Sequence, residues 1–280
     1  MPGIEISNET MIRLEHLRKR FKTQQVLADV NLEIKKGETM VVIGRSGQGK
    51  SVILKHIMGL LQPDGGRVMV NNEEISSPRK VELYRIRKKL GMLFQGAALF
   101  DSMDVGENIA FPLREHSSLS EKEIADIVIE KLEMVGLRNI ERKMPSELSG
   151  GMKKRVGLAR VIAMNPEVIL YDEPTTGLDP ITSDTINDLI LEMQEKLKVT
   201  SIVVTHDMVS AYKVADRIAM LHEGSVIFTG TPNQLKSSRD PRVQQFIRGQ
   251  KKLIYDGTIA NPEEADQFNQ KFNIADLTGK

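Results

Sequence analysis

Apolar and polar residues alternate through roughly the first 35 positions, most clearly at Val30, Leu32 and Ile34. A period of two is the pattern of strands with one buried face. After a turn at Lys36 and Gly37, the run TMVVI from Thr39 to Ile43 is apolar at consecutive positions. That pattern predicts a strand buried on both faces. A glycine-rich loop follows, then a helix carrying Val52, Ile53, Ile57 and Leu60. Gly65 and Gly66 predict a turn, Arg67 to Val70 a strand, Asn71 and Asn72 a second turn, and Gly91 to Gln95 a short strand.

From about Met103 to Met164 the period becomes helical, with Ile124, Ile127, Val128, Leu132 and Val135 on one face. Ser120 and Glu123 form a capping box that starts this helix. Strand patterns return at Val168 to Tyr171, Ser201 to Thr205 and Arg217 to Leu221, with helical stretches between them. Strands alternating with helices predict an α/β fold with a mainly parallel sheet, here interrupted by a helical insert at about residues 97–164. After about Asp240 the apolar density falls. Val243, Phe246 and Ile247 fit a short amphipathic helix, and Asn261 before Pro262 fits the N-cap of another. We divide the chain into a main domain, residues 1–240, and a C-terminal extension, residues 241–280, packed on the core or on a partner, with a partly disordered tail as the alternative.

Composition narrows the picture. The chain has 280 residues, enough for a real core. Its 39 basic and 38 acidic residues nearly cancel, leaving a net charge of +1 and no electrostatic case for nucleic acid. The cluster Arg18, Lys19, Arg20 and Lys22 is read as a solvated strand face. No apolar run approaches the ~20 residues that cross a bilayer, and no charged-then-apolar leader opens the chain. Cysteine is absent, which fits the cytosol.

The candidate chemistry begins with GRSGQGKS, Gly44 to Ser51, which fits G-x-x-x-x-G-K-[ST] between a buried strand and a helix. Gly44, Ser46, Gly47, Gln48 and Gly49 would wrap phosphate oxygens with backbone amides, Val52 standing in the first helical turn. Lys50 supplies a point charge to the β and γ phosphates, and Ser51 a hydroxyl to Mg²⁺. VILYDE, Val168 to Glu173, is an apolar strand ending in two carboxylates. Asp172 would reach Mg²⁺, and Glu173 would polarise an attacking water. The bland reading of that pair is a surface acidic couple at a strand end.

SIVVTHD places His206 at another strand end, where ligands of parallel sheets collect, so we read it as a γ-phosphate contact rather than a structural histidine. Gln95 ends LGMLFQ in the same way and would sense Mg²⁺ and the water; otherwise it is a solvent-facing glutamine. Asp179 in GLDP fits an N-cap for a helix with Pro180 at N1 at least as well as a nucleotide contact. Phe21 is read as stacking on an adenine ring, with a strand-core phenylalanine as the alternative. LSGGM, Leu148 to Met152, precedes a helical stretch. Backbone N–H groups of Ser149, Gly150 and Gly151 at that helix N-terminus would face a second anion.

Taken together, GRSGQGKS, Phe94 and Gln95, LSGGM, VILYDE, TGLD at Thr176 to Asp179, and Thr205 with His206 resemble the ATP-binding cassette (ABC) family in order and spacing, over roughly Ile12 to Leu235. The resemblance implies a P-loop NTPase fold, the ABC nucleotide-binding domain, with an N-terminal antiparallel β subdomain beside the parallel core. It also implies a head-to-tail dimer of two copies sandwiching two ATP molecules. By position, Lys50, Ser51, Gln95, Asp172, Glu173 and His206 would bind or hydrolyse ATP with Mg²⁺. Ser149 and Gly151 would bind the γ-phosphate of the partner's ATP. One departure is Met152, where the family usually has glutamine; a thioether cannot make the same hydrogen bonds.

Met152, GKSV at Gly49 to Val52, DPIT at Asp179 to Thr182 and DPRVQQFIRG from Asp240 to Gly249 are similar to the branch serving MCE-type lipid transporters. That likeness implies an ATPase subunit on the cytoplasmic face of the inner membrane, with separate membrane-spanning permease subunits and an MCE-type lipid-binding protein as partners. Ala97 to Phe100 would contribute apolar contacts to the permease. An importer of amino acids or other polar solutes is the main alternative, and a soluble assembly ATPase another. Gln95 and Ser149 are 54 positions apart, which leaves no room for the long coiled coil of chromosome-type members.

Overall fold

A computed structural model describes residues 7–76 and 80–248. The chain begins with β1 (Thr10–Phe21), β2 (Gln24–Lys35), β3 (Thr39–Ile43) and α1 (Lys50–Ile57). Next come β4 (Gly65–Val70), β5 (Glu73–Glu74), α2 (Lys80–Arg87) and β6 (Leu90–Leu93). A helical stretch follows: α3 (Val105–His116), α4 (Glu121–Met134), a single 3-10 turn at Pro145–Glu147, and α5 (Gly150–Ile162). The chain then returns to the sheet through β7 (Val168–Asp172), α6 (Pro180–Leu197), β8 (Thr200–Thr205), α7 (Met208–Val214), β9 (Arg217–His222) and β10 (Ser225–Gly230). It continues as α8 (Pro232–Lys236) and α9 (Pro241–Ile247).

The strands lie in the order β5-β4-β1-β2-β10-β9-β3-β8-β7-β6. Strands β9, β3, β8, β7 and β6 run parallel, and β1, β2, β4 and β5 are antiparallel. A single parallel bridge, Ser225 to Asp29, joins the two parts. The α/β fold expected from the alternation is therefore present, with the antiparallel strands at its N-terminal side.

The consecutive apolar positions of the central strands divide between two cores. Val41 and Ile43 face one core with Ile169, Tyr171 and Val203. Met40 and Val42 face the other with Val168, Leu170, Ile202 and Val204. Because side chains alternate along a strand, only a sheet covered on both faces can bury all of them. Helices α3 to α7 cover the first face and α1 the second. The loops that carry the candidate chemistry are thus left at the carboxyl ends of β3, β6, β7 and β8.

Local rules explain several helix starts. Ser120 and Glu123 make the expected reciprocal capping box at α4, and Asp104 with Glu107 makes another at α3. Val243, buried on the first core, anchors α9. The helix expected at Asn261 lies outside the described residues.

Two expectations need correction, and one alternative falls away. Leu60 is outside α1 and 49 % exposed, because Gly59 takes φ 63° and ends the helix first. Phe21 is no core residue: it ends β1 and is 41 % exposed. The basic cluster on β1 is not uniformly solvated, since Lys19 Nζ donates to the Gln62 carbonyl at 2.7 Å and to Asp64 at 2.9 Å.

Candidate active site

The loop after β3 turns sharply into α1. Gly49 has φ 95°, and a Cβ there would lie 2.8 Å from Leu27 Cδ2 and 2.9 Å from Val26 Cγ1, so only glycine fits. As N-cap of α1 it offers no side chain to the first-turn amides, and that turn holds no acidic residue. Those amides are therefore available to an anion, with the helix dipole adding positive potential.

Lys50 opens α1 and folds back into the loop. Its Nζ donates to the Gly44 carbonyl at 2.8 Å and to the Arg45 carbonyl at 3.2 Å, and it lies 3.7 Å from Glu173 Oε1. Burial pushes the ammonium below its ordinary pKa, and the carboxylates of Glu173 and Asp172 oppose that shift. Next to it, Ser51 Oγ donates to Asp172 Oδ1 at 2.7 Å. Two hard oxygen donors held this close suit Mg²⁺ better than a soft metal. Among the described residues no cluster of three or more His, Cys, Asp or Glu side chains offers an alternative metal cage.

Glu173 is the first residue past β7 and adopts φ 49°, a left-handed conformation that costs a non-glycine residue about 1–3 kcal/mol. Neighbours hold it there. Its N–H donates to the Val204 carbonyl at 2.9 Å, and Thr176 Oγ1 donates to its Oε2 at 3.0 Å. The same Oε2 lies 2.8 Å from His206 Nδ1, at the first position past β8. Lys154 Nζ, from α5, donates to the Glu173 backbone carbonyl at 3.1 Å.

The structure thus gathers Lys50, Ser51, Asp172, Glu173 and His206 into one cluster. Gln95 stands apart, exposed in the turn after β6 with no hydrogen bond among the described residues. The register pairs Leu93 with Tyr171, so Gln95 and Glu173 each lie two residues beyond that pair on adjacent strands. Ser46, Gly47 and Gln48 form the outer loop; Gln48 Oε1 accepts from the Glu223 N–H at 3.1 Å. Val52 is half-buried in α1. Phe21 is free for stacking, apart from Lys19 Nζ at 5.7 Å from its ring centroid.

Ser149, Gly150 and Gly151 belong to a different surface. Ser149 caps α5 by accepting from the Met152 N–H at 3.3 Å, and Ser149 and Gly150 are exposed. Among the described residues none of the three hydrogen-bonds to the Lys50 cluster. Asp179 caps α6, accepting from the Ile181 and Thr182 amides at 3.0 Å each and from Thr182 Oγ1 at 2.5 Å. Those bonds hold its carboxyl below the usual range.

The sequence reading assigns no individual role to Lys154, Thr176 or Asp207. Asp207 caps α7 directly after His206. Lys154 had a legible signal: it lies three residues after Gly151 and four before Leu158, on a face otherwise buried.

The ABC transporter family model matches residues 27–176. The chain belongs to the ABC transporter family. Its ATPase fold recurs in the dimeric cassette MJ0796 bound to ADP and Pi, which superimposes with a TM-score of 0.74 at 34 % identity, covering 79 % of this chain and 98 % of that one. The intermembrane phospholipid transport system ATP-binding protein MlaF of Haemophilus influenzae is 43 % identical, over 87 % of this chain and 92 % of its own length. The probable ribonucleotide transport ATP-binding protein mkl of Mycobacterium leprae is 42 % identical, over 91 % of this chain and 73 % of its own length. As an ABC cassette, the chain is an ATPase, and the uncapped loop of α1 with buried Lys50 fits the phosphates of ATP. Among the described residues no helix is long and apolar enough to cross a membrane.

Proposed function

We propose that this cassette hydrolyses ATP to power movement of phospholipid, or a related lipid, across the cell envelope through separate permease subunits. The observation that carries the reading is the 43 % identity to MlaF over nearly all of that protein. In this proposal two copies pair head-to-tail, as the dimeric form of MJ0796 supports. Ser149, Gly150 and Gly151 of each copy then face the other's nucleotide. Residues 1–240 form the ATP-binding domain, with the helical part at about 97–164 and an extension from 241.

The chemistry follows from the cluster. The loop amides and Lys50 bind the phosphates and balance their charge. Ser51, Asp172 and Gln95 would hold Mg²⁺, which would neutralise phosphate oxygens when bound. Glu173 accepts a proton from water as the water oxygen bonds to the γ-phosphorus. The bond from that phosphorus to the bridging oxygen breaks, and ADP leaves with the electron pair. His206 holds the Glu173 carboxylate in place, and Phe21 stacks on the adenine.

A groove of about 570 Å³ supports the permease contact. It is lined by Tyr84, Met92, Phe94, Phe100, Phe111 and Met164. Phe100 and Phe111 pack with tilted rings, their centroids 5.0 Å apart, and both are partly exposed. Aromatic side chains on an open groove suit an apolar helix of a membrane subunit. Docking there would hold the cassette at the cytoplasmic face of the inner membrane.

The test is to purify the chain with its partners from native membranes in detergent and to measure ATP hydrolysis in vesicles. Co-purification of an anchored lipid-binding protein, with hydrolysis that depends on phospholipid, supports the proposal. The M. leprae relative, a probable ribonucleotide transport ATP-binding protein, favours a polar cargo instead. A soluble solute-binding partner, with hydrolysis stimulated by nucleotides or amino acids, would establish that reading.

A further inference from the structure

Lys154 is a buried cation that the hydrolysis scheme leaves without a role. It is 5 % exposed on the second turn of α5, and its Nζ donates to the Glu173 backbone carbonyl at 3.1 Å. Burial pushes its ammonium below the ordinary lysine range, and Glu173 and Asp172 oppose the shift. A lysine so enclosed is costly to keep unless it holds a specific partner. Its partner is the carbonyl of the residue whose backbone is left-handed, φ 49°. The Thr176 N–H shares that carbonyl at 3.3 Å.

The position along α5 matters as much as the bond. Lys154 stands five residues after Ser149, about 7.5 Å along a rigid helix. The N-terminus of that helix presents Ser149 and Gly150 to solvent, whereas its second turn touches Glu173. The first two turns of one helix therefore reach both candidate nucleotide surfaces.

We propose that Lys154 is a positioning residue. It holds the Glu173 main chain in the left-handed turn that aims the carboxylate, and it ties that turn to the helix facing the partner's nucleotide. This rests on the reading of Glu173 as the base and of the cassette as a dimer. The bond acts on the backbone, so its loss misaims the carboxylate without removing any group that binds ATP.

The experiment compares Lys154→Met and Lys154→Arg in the full chain, with ATP affinity, KM, kcat and thermal midpoint read on each. For Lys154→Met, kcat falls about 100-fold, while KM and ATP affinity are unchanged. The midpoint holds or rises, because methionine replaces a buried charge with similar volume. Lys154→Arg recovers most of kcat. In a Glu173→Gln background, Lys154→Met lowers the residual turnover no further, since both act on one step. Wild-type kcat in Lys154→Met overturns the inference. So does a loss that follows a lowered midpoint and is not recovered by arginine, or one that adds to Glu173→Gln. The underlying reading fails separately: normal turnover by Glu173→Gln alone would remove the base, whatever the lysine variants do.

Discussion

His206 Nδ1 lies 2.8 Å from Glu173 Oε2, so the first residue past β8 holds the first residue past β7. Neither side chain is placed by its own strand alone. The carboxylate is fixed from one side by the imidazole and from the other by Thr176 Oγ1 at 3.0 Å. His206→Ala removes the first of these. Turnover is expected to fall about 100-fold, with ATP binding retained. Parallel measurement of kcat and nucleotide affinity checks this; equal losses in both would place His206 in binding rather than in alignment.

Packing at the start of α5 makes a second prediction. A Cβ on Gly151 would lie 2.3 Å from Thr182 Cγ2. Thr182 cannot turn away freely, because its Oγ1 is bonded to Asp179. Gly151→Ala should cost about 1–3 kcal/mol of stability. Adding Thr182→Ser deletes the clashing methyl, keeps the hydroxyl and should restore the denaturation midpoint. Failure of the double variant to recover would mean that the two helices part for another reason.

The aromatic groove gives a third. Asn108 on α3 is fully buried and knits the loop carrying Phe100: its Oδ1 accepts from the Phe100 N–H at 2.8 Å, and its Nδ2 donates to the Phe100 and Met103 carbonyls. Arg160 braces the same loop by donating to the Ala97 and Ala98 carbonyls, both at 2.9 Å. Phe100→Asp replaces an exposed aromatic contact on this braced loop with a charge. Capture of the membrane subunits should be lost, while ATP hydrolysis by the isolated cassette stays unchanged. Capture at the wild-type level would move the docking face elsewhere.

The pH dependence of α9 gives a fourth. Asp240 caps this helix and pairs with Arg242, which holds its carboxyl down to about 2 against an ordinary 3.8. A depressed carboxylate stabilises the fold above its unfolded pKa, and that contribution is lost as pH falls through the folded value. Amide protection of α9 should therefore drop between about pH 4 and pH 2. In Asp240→Asn, which keeps a capping oxygen without the charge, the step should vanish. Hydrogen exchange across that range reads it directly.

Much of this protein was legible because it is local. Consecutive apolar residues at Met40 to Ile43 identify a strand buried on both faces, since no other placement hides them all. Glycines before Lys50 and Ser51 identify a phosphate loop because the backbone must turn where a Cβ would collide. Ser120 with Glu123 marks a helix start through bonds three residues apart. The end of α1 was missed by a short distance, because Leu60 continues the apolar period and only Gly59 breaks it.

Contacts between distant segments were not legible in this way. Ser51 and Asp172 share a 2.7 Å bond across 121 positions, a separation that no periodicity encodes. The exposure of Phe21 depends on where β1 ends against its neighbours, so hydropathy left a strand-core alternative open beside the stacking reading. The sequence by itself determined which residue types stand at strand ends, loop and helix starts, because backbone sterics and side-chain period act over a few residues. Only the tertiary structure decided that Lys154 meets the Glu173 carbonyl and Gly151 meets Thr182. Those meetings depend on how α5 is set against β7 and α6, and packing across the whole sheet determines that placement.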